Sequence, residues 1–212
     1  MIYNKFKKFV FIHIPRSSGT SMTMVLHTVF PESFVEDLSW KHAVAYEIRK
    51  IIIGRFEWDT YFKFAIMRSP WEIIESMYKH LVIKTKEPLN PDIMIASQWI
   101  KTLERFAEYK TFEEYVQNEF IRYSGVNHFG GFYGTYCLDA NNDLGVHVYQ
   151  YSELEKAWED ICSRLDIKNT KYPKVNASTT STPLWTKDLV EEIAEVCKLD
   201  IEKFGYQPPK VR

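Results

Sequence analysis

The sequence predicts an α/β fold with a central parallel sheet flanked by helices. Two observations carry this. Phe9 to Ile14 and Tyr61 to Met67 are continuous apolar, β-rich runs of the kind buried on both faces, and each leads directly into a helix. A third run, Val146 to Tyr149, does the same before a helix from about Glu153 to Leu165.

The elements follow in order. Pro15 stops the first strand, and Met22, Val25, Leu26 and Val29 then recur at the spacing of one helix face. Trp40, Val44, Ile48, Ile51 and Ile52 predict a second helix, with Ser39 as its N-cap and Gly54 past its end. After the second strand, Ser69 as N-cap, Pro70 at the first helical position and Glu72 at the third form a capping box that opens a helix to about His80. Ile93, Ala96, Ile100, Leu103 and Ala107 share a face of a further helix, and Thr111 with Glu114 caps another. Residues 124–145 hold five of the eight glycines among Phe129, Phe132, Tyr133 and Tyr136, which reads as a long functional or mobile loop. A polar loop over 168–185 precedes a C-terminal helix from about Lys187 to Phe204.

With no repeat or linker in its 212 residues, the chain reads as a single domain spanning 1–212. A net charge of −1 argues against a nucleic-acid or membrane-surface binder that works through an overall field, while leaving room for a local basic pocket. Cys137, Cys162 and Cys197 lie far apart without metal-ligand spacing, so neither a disulfide framework nor a metal site is expected. The lysines before Phe9 mimic a signal peptide, but the apolar run meets His13 and Pro15 too soon. No run approaches the ~18 apolar residues of a membrane span. A cytoplasmic protein is expected, which leaves the Asn176-Ala177-Ser178 sequon little weight.

Two loops carry the chemistry. Pro15-Arg16-Ser17-Ser18-Gly19-Thr20-Ser21 turns from strand to helix through small residues, the layout that presents backbone N–H groups and a helix dipole to phosphate. It lacks the first glycine and the lysine of GxxxxGK[ST], which disfavours an ATP or GTP hydrolase. A serine-rich turn that only caps a helix is the bland alternative. At the end of the second strand stands Arg68, and Ser76 follows about two turns into the next helix, where both side chains could grip one anion. The alternative there is a structural Arg68 paired with a carboxylate, with Ser76 facing solvent.

Phe11 through Ser21 resembles the 5′-phosphosulfate loop of the sulfotransferase family, and Phe64 to Trp71 through Ser76 resembles its 3′-phosphate segment. The branch is that of the carbohydrate and Golgi-type enzymes. Lys41-His42-Ala43, Tyr151-Ser152-Glu153-Leu154, Asn176-Ala177-Ser178 and Asp200 through Tyr206 extend the similarity over nearly the whole chain. The resemblance implies a P-loop-like three-layer fold that binds 3′-phosphoadenosine 5′-phosphosulfate and releases adenosine 3′,5′-bisphosphate, without a metal. It assigns Arg16, Ser17, Ser18, Gly19, Thr20 and Ser21 to the 5′-phosphosulfate, and Arg68 with Ser76 to the 3′-phosphate. Two departures stand out: Arg16 occupies the usual place of a lysine, and Ser152 that of an acidic residue.

Sulfuryl transfer needs charge stabilisation on the leaving oxygen, assigned to Arg16, and a base for the acceptor's proton. The resemblance points to His42, and the predicted helix puts it in a first turn, where the dipole disfavours imidazolium. A surface histidine is the alternative reading, with Glu47, Glu36 and Asp37 as weaker bases. His13 reads as a packing residue, and His128 as either an acceptor contact or a mobile loop residue. The expected partners are the nucleotide donor and a hydroxylated small molecule or glycan, with an amine also open. An ATP-dependent small-molecule kinase and an inactive nucleotide-binding regulator are the competing functions.

Overall fold

The computed structural model describes residues 1–35, 41–86, 96–123, 126–140, 142–168, 171–172 and 185–211. The chain starts with β1 (Ile2–Asn4), β2 (Phe9–Ile12), α1 (Gly19–Val29), β3 (Phe34–Val35), and α2 (Ala45–Glu47), which runs into a π-helical segment Ile48–Ile53. Next come α3 (Arg55–Trp58), β4 (Phe62–Met67), α4 (Pro70–Lys84), α5 (Ala96–Glu108), α6 (Phe112–Tyr115) and α7 (Ile121–Tyr123). The remainder is α8 (Phe132–Cys137), β5 (Leu138–Asp139), β6 (Asn142–Asp143), β7 (His147–Gln150), α9 (Leu154–Leu165), α10 (Lys187–Val196) and α11 (Lys198–Phe204). The chain divides into two compact units, residues 1–68 with 133–177 and residues 69–132 with 178–212.

The first unit holds the sheet, in the order β3-β1-β2-β4-β7. The predicted strands β2, β4 and β7 are parallel neighbours, with Ile12 opposite Ala65 and Met67 opposite Gln150. Phe9 and Phe11 of β2, with Phe64 and Ile66 of β4, meet Met22, Val25 and Leu26 of α1 and Trp158, Ile161 and Leu165 of α9 in one core. The alternate residues Val10, Ile12, Ala65 and Met67 are also buried, which is why these strands read as unbroken apolar runs. Strands β1 and β3 extend the sheet antiparallel and were not anticipated, since they are short and lysines follow β1 directly.

Two predicted elements of this unit change. Ser39 and Trp40 lie outside the described residues; the helix that follows begins at Ala45 and widens at Ile48, so that Gly54 N–H reaches back five residues to Arg49. That extra residue per turn rotates the later side chains off the predicted face, and Ile51 is 62% exposed. Gly54 ends the segment as predicted, at a φ of 91°.

The second unit is helical. Ser69 Oγ accepts from the Glu72 N–H at 3.3 Å with Pro70 at the first helical position, and α4 continues one turn beyond the predicted end. Thr111 Oγ1 accepts from the Glu114 N–H at 3.1 Å, as predicted. In α5, Leu103 and Phe106 are buried and Ala107 is exposed, because the larger ring takes the inward position; Ile93 lies outside the described residues. Tyr78 of α4 packs its ring among Phe106, Phe112 and Tyr115.

The expected 124–145 loop is instead largely regular structure: a 3₁₀ turn Val126–Phe129, then α8, then the β5–β6 hairpin. Phe132 and Tyr133 are buried ring residues, and Gly130 and Gly131 make the turn between helices at φ 70° and 132°. The predicted single C-terminal helix is likewise two, broken at Cys197. The break frees the Leu199 N–H to bond the Gly130 carbonyl at 3.0 Å and sets the buried Asp200 to accept the Phe132 N–H at 2.7 Å.

Candidate functional site

The carboxyl ends of β2, β4 and β7 carry, in order, the Pro15–Ser21 loop, Arg68 and Tyr151. Ligands of open parallel sheets collect at such strand ends. The loop's backbone is unusual for its composition. Arg16 and Ser18 both take positive φ, 57° and 63°, while Ser17 between them does not. Alternating handedness of this kind turns successive N–H groups toward one concave point, which suits an anion. The first helical bond runs from Met22 N–H to the Ser18 carbonyl, so the N–H groups of Gly19 and Thr20 precede the helical ladder.

The predicted loop residues separate by role. Ser17 is buried and its hydroxyl donates to the Pro15 carbonyl at 3.3 Å, and Ser21 is buried too. Thr20 is exposed and Arg16 half-buried. Gly19 is required for space: a Cβ there would stand 1.7 Å from His13 Cδ2 and 1.8 Å from its Nε2. Since His13 is itself buried, Gly19→Ala is expected to destabilise the protein by about 1–3 kcal/mol and to weaken anion binding. Denaturant unfolding with an unchanged midpoint would show that the ring moves aside freely.

Several cations gather at this end of the sheet. Burial lowers the Arg16 pKa most, and the nearby Arg68 lowers it further. Lys41 is lowered by burial and then by Arg16. His13 is pushed down to about 2, first by burial and then by the neighbouring His42, the N-terminal ammonium, Lys41 and Arg16. Arg68 lays its guanidinium on the Tyr151 ring, 3.6 Å from the centroid, and its Nε is buried without a hydrogen-bond partner. Crowded cations with an orphaned donor fit a polyanion and are costly without one.

His42 is placed by a different element from the one the sequence suggested. It lies in the turn before α2, whose N-cap is Val44, and not in the first turn of the helix. Its Nδ1 lies 2.9 Å from the His13 carbonyl, and the two rings are 4.5 Å apart. A carbonyl only accepts, so neutral His42 carries its proton on Nδ1 and keeps a lone pair on Nε2. Although the residue retains exposed surface, partial desolvation lowers its pKa to about 4, opposed by the His13 carbonyl and helped by Lys41, the N-terminal ammonium and Arg16. Glu47 is exposed and lies within α2, while Glu36 and Asp37 lie outside the described residues. Ser76 and the exposed His128 belong to the second unit.

Sequence reasoning missed the parts played by Tyr151 and Tyr172. Tyr151 stands just past β7, one strand over from Arg68, a placement that only the parallel register reveals. The Tyr172 hydroxyl lies 2.5 Å from Ser18 Oγ across 154 positions of sequence, for which no local signal exists.

No curated protein and no solved structure matches this chain. The sulfotransferase family does match, over residues 1–207, and that span contains the strand-end loop, both arginines and both histidines. Matched over all but its last five residues, the chain belongs to the sulfotransferase family and is a transferase of sulfuryl groups.

Proposed function

We propose that the protein transfers the sulfuryl group of 3′-phosphoadenosine 5′-phosphosulfate to a hydroxyl or amine of an acceptor such as a carbohydrate, as one catalytic domain over residues 1–212. The observation that carries this reading is the group of cations at the strand ends, with Arg16 near both Arg68 and Lys41 and the Arg68 Nε buried without a hydrogen-bond partner. When bound, the donor supplies the sulfuryl group on a phosphate leaving group.

The chain's own residues supply the rest. The Arg16–Ser21 backbone orients the 5′ end, and the Arg16 guanidinium stabilises charge on the leaving phosphate. Arginine does this as a fixed cation and not as a proton donor. Arg68, held flat by Tyr151 with its Nε unspent, binds the 3′-phosphate; Ser76 is added to that role by the family resemblance alone. His42 Nε2 takes the acceptor's proton, with the His13 carbonyl fixing the tautomer.

A nucleotide panel read by thermal and chemical denaturation tests the proposal. Adenosine 3′,5′-bisphosphate is expected to stabilise the protein by about 2.7 kcal/mol at one hundred times its Kd, and ATP, ADP and AMP far less at equal concentration. Equal or better stabilisation by ATP would favour the kinase reading. Among the described residues no helix is long and apolar enough to cross a membrane.

A further inference from the structure

Ser18 is the N-cap of α1, yet its hydroxyl makes no capping bond. It is engaged by Tyr172 instead. The phenol oxygen lies 2.5 Å from Ser18 Oγ and 3.3 Å from the Ser18 carbonyl, so one side chain grips both polar groups of a residue held at φ 63°. Left-handed backbone in a non-glycine residue is costly and persists only when its surroundings fix it. The Tyr172 ring is fixed in turn, packed at 61° against Trp158 with 5.7 Å between centroids, and Trp158 belongs to the core that α1 and α9 share with the sheet. The phenol also has the Ser21 hydroxyl within hydrogen-bonding reach on the same loop and lies in the field of Arg68 at the next strand end. Burial keeps it protonated at neutral pH, as raises in its pKa outweigh the lowering by Ser18, Ser21 and Arg68.

We propose that Tyr172 is a positioning residue for the donor loop, acting through Ser18; the inference rests on the donor assignment above. A phenol has a single proton. When it donates to the Ser18 carbonyl, the Ser18 hydroxyl proton points at the phenol oxygen. When it donates to Ser18 Oγ, the serine proton is released toward the concave side of the loop, where it donates to the 5′-phosphosulfate. No proton leaves either residue in this exchange. The tether thus holds the strained loop in its anion-binding form and lets Ser18 turn its donor to the ligand without losing a partner.

The test is the affinity for adenosine 3′,5′-bisphosphate, measured by calorimetry on the wild type, Tyr172→Phe, Ser18→Ala and the double variant. Tyr172→Phe is expected to weaken binding about tenfold, the worth of one hydrogen bond to a charged-ligand network, while the ring and its packing on Trp158 remain. The donor KM should rise by a similar factor, with a smaller change in kcat and an unaltered acceptor KM. Because the phenol acts through Ser18, the double variant should bind within about twofold of Ser18→Ala alone. Wild-type affinity in Tyr172→Phe, or losses that multiply in the double variant, overturns the inference and leaves the donor assignment standing. A wild type that does not bind the bisphosphate overturns both. Should Tyr172→Phe fail to fold, Ser18→Ala probes the same contact from the loop side, and wild-type affinity there overturns the inference equally.

Discussion

Replacing Arg16 with alanine is expected to lower turnover by roughly 100-fold or more while nucleotide affinity falls much less. In the proposed complex the ground-state anion is held by Arg68 and by the backbone N–H groups of the loop, so a second cation adds little to binding. Under the proposed mechanism its contribution comes when charge builds on the leaving phosphate; Arg16 lies on the loop itself, half-buried and repelled by Arg68. Partial burial strengthens that interaction relative to water. Arg16→Lys restores the usual family residue and is expected to retain or raise turnover. Single-turnover kinetics with the donor, together with bisphosphate affinities, separate the two effects. Equal losses in binding and turnover would mean that Arg16 acts on the ground state. A wild type that binds the nucleotide tightly but turns over no acceptor would support the regulator reading.

His42→Ala is expected to depress turnover by about 10² to 10⁴, with donor affinity nearly unchanged. The pH profile adds a second check, and its sign follows from the local charges. Burial and three neighbouring positive groups oppose protonation, so the base form persists down to a pKa of about 4. For the wild type, kcat/KM is therefore expected to be level from pH 6 to 8 and to fall at lower pH, toward a midpoint near 4, over the range where the protein stays folded. The alanine variant should lack that limb. A limb near the ordinary 6.5 would place His42 in a more open setting, and near-normal turnover of the variant would move the base role elsewhere, to Glu47 first. Melting temperature and bisphosphate binding of the variant distinguish lost chemistry from lost structure.

The loop between β2 and α1 was legible because its signals are local. An apolar run, a proline, five small residues and a helical face follow one another between Phe9 and Val29, and Arg68 is marked the same way by its strand and the Ser69 cap. The surroundings were not legible, because they depend on strand register and on contacts between distant segments. The His13 carbonyl meets His42 across 29 positions, and Tyr172 meets Ser18 across 154. For His42 the structure replaces the reason the sequence offered: the helix whose first turn was to hold it starts three residues after it, and desolvation beside cations lowers its pKa instead. The 124–145 segment misled for another reason. Glycines beside aromatics suggest an open loop, whereas Gly130 and Gly131 are there to turn tightly against Leu199 and Asp200, leaving Phe132 to the core.

The most direct measurement compares adenosine 3′,5′-bisphosphate with adenosine 5′-phosphate by calorimetry, in the wild type and in Arg68→Ala. If the strand ends form a site for a 3′-phosphorylated donor, the wild type prefers the bisphosphate by about 10- to 100-fold, the range of charged hydrogen bonds, and Arg68→Ala loses most of that preference while still binding the 5′-phosphate. Equal affinity for the two nucleotides in the wild type, or a preference that survives the loss of Arg68, would contradict the account.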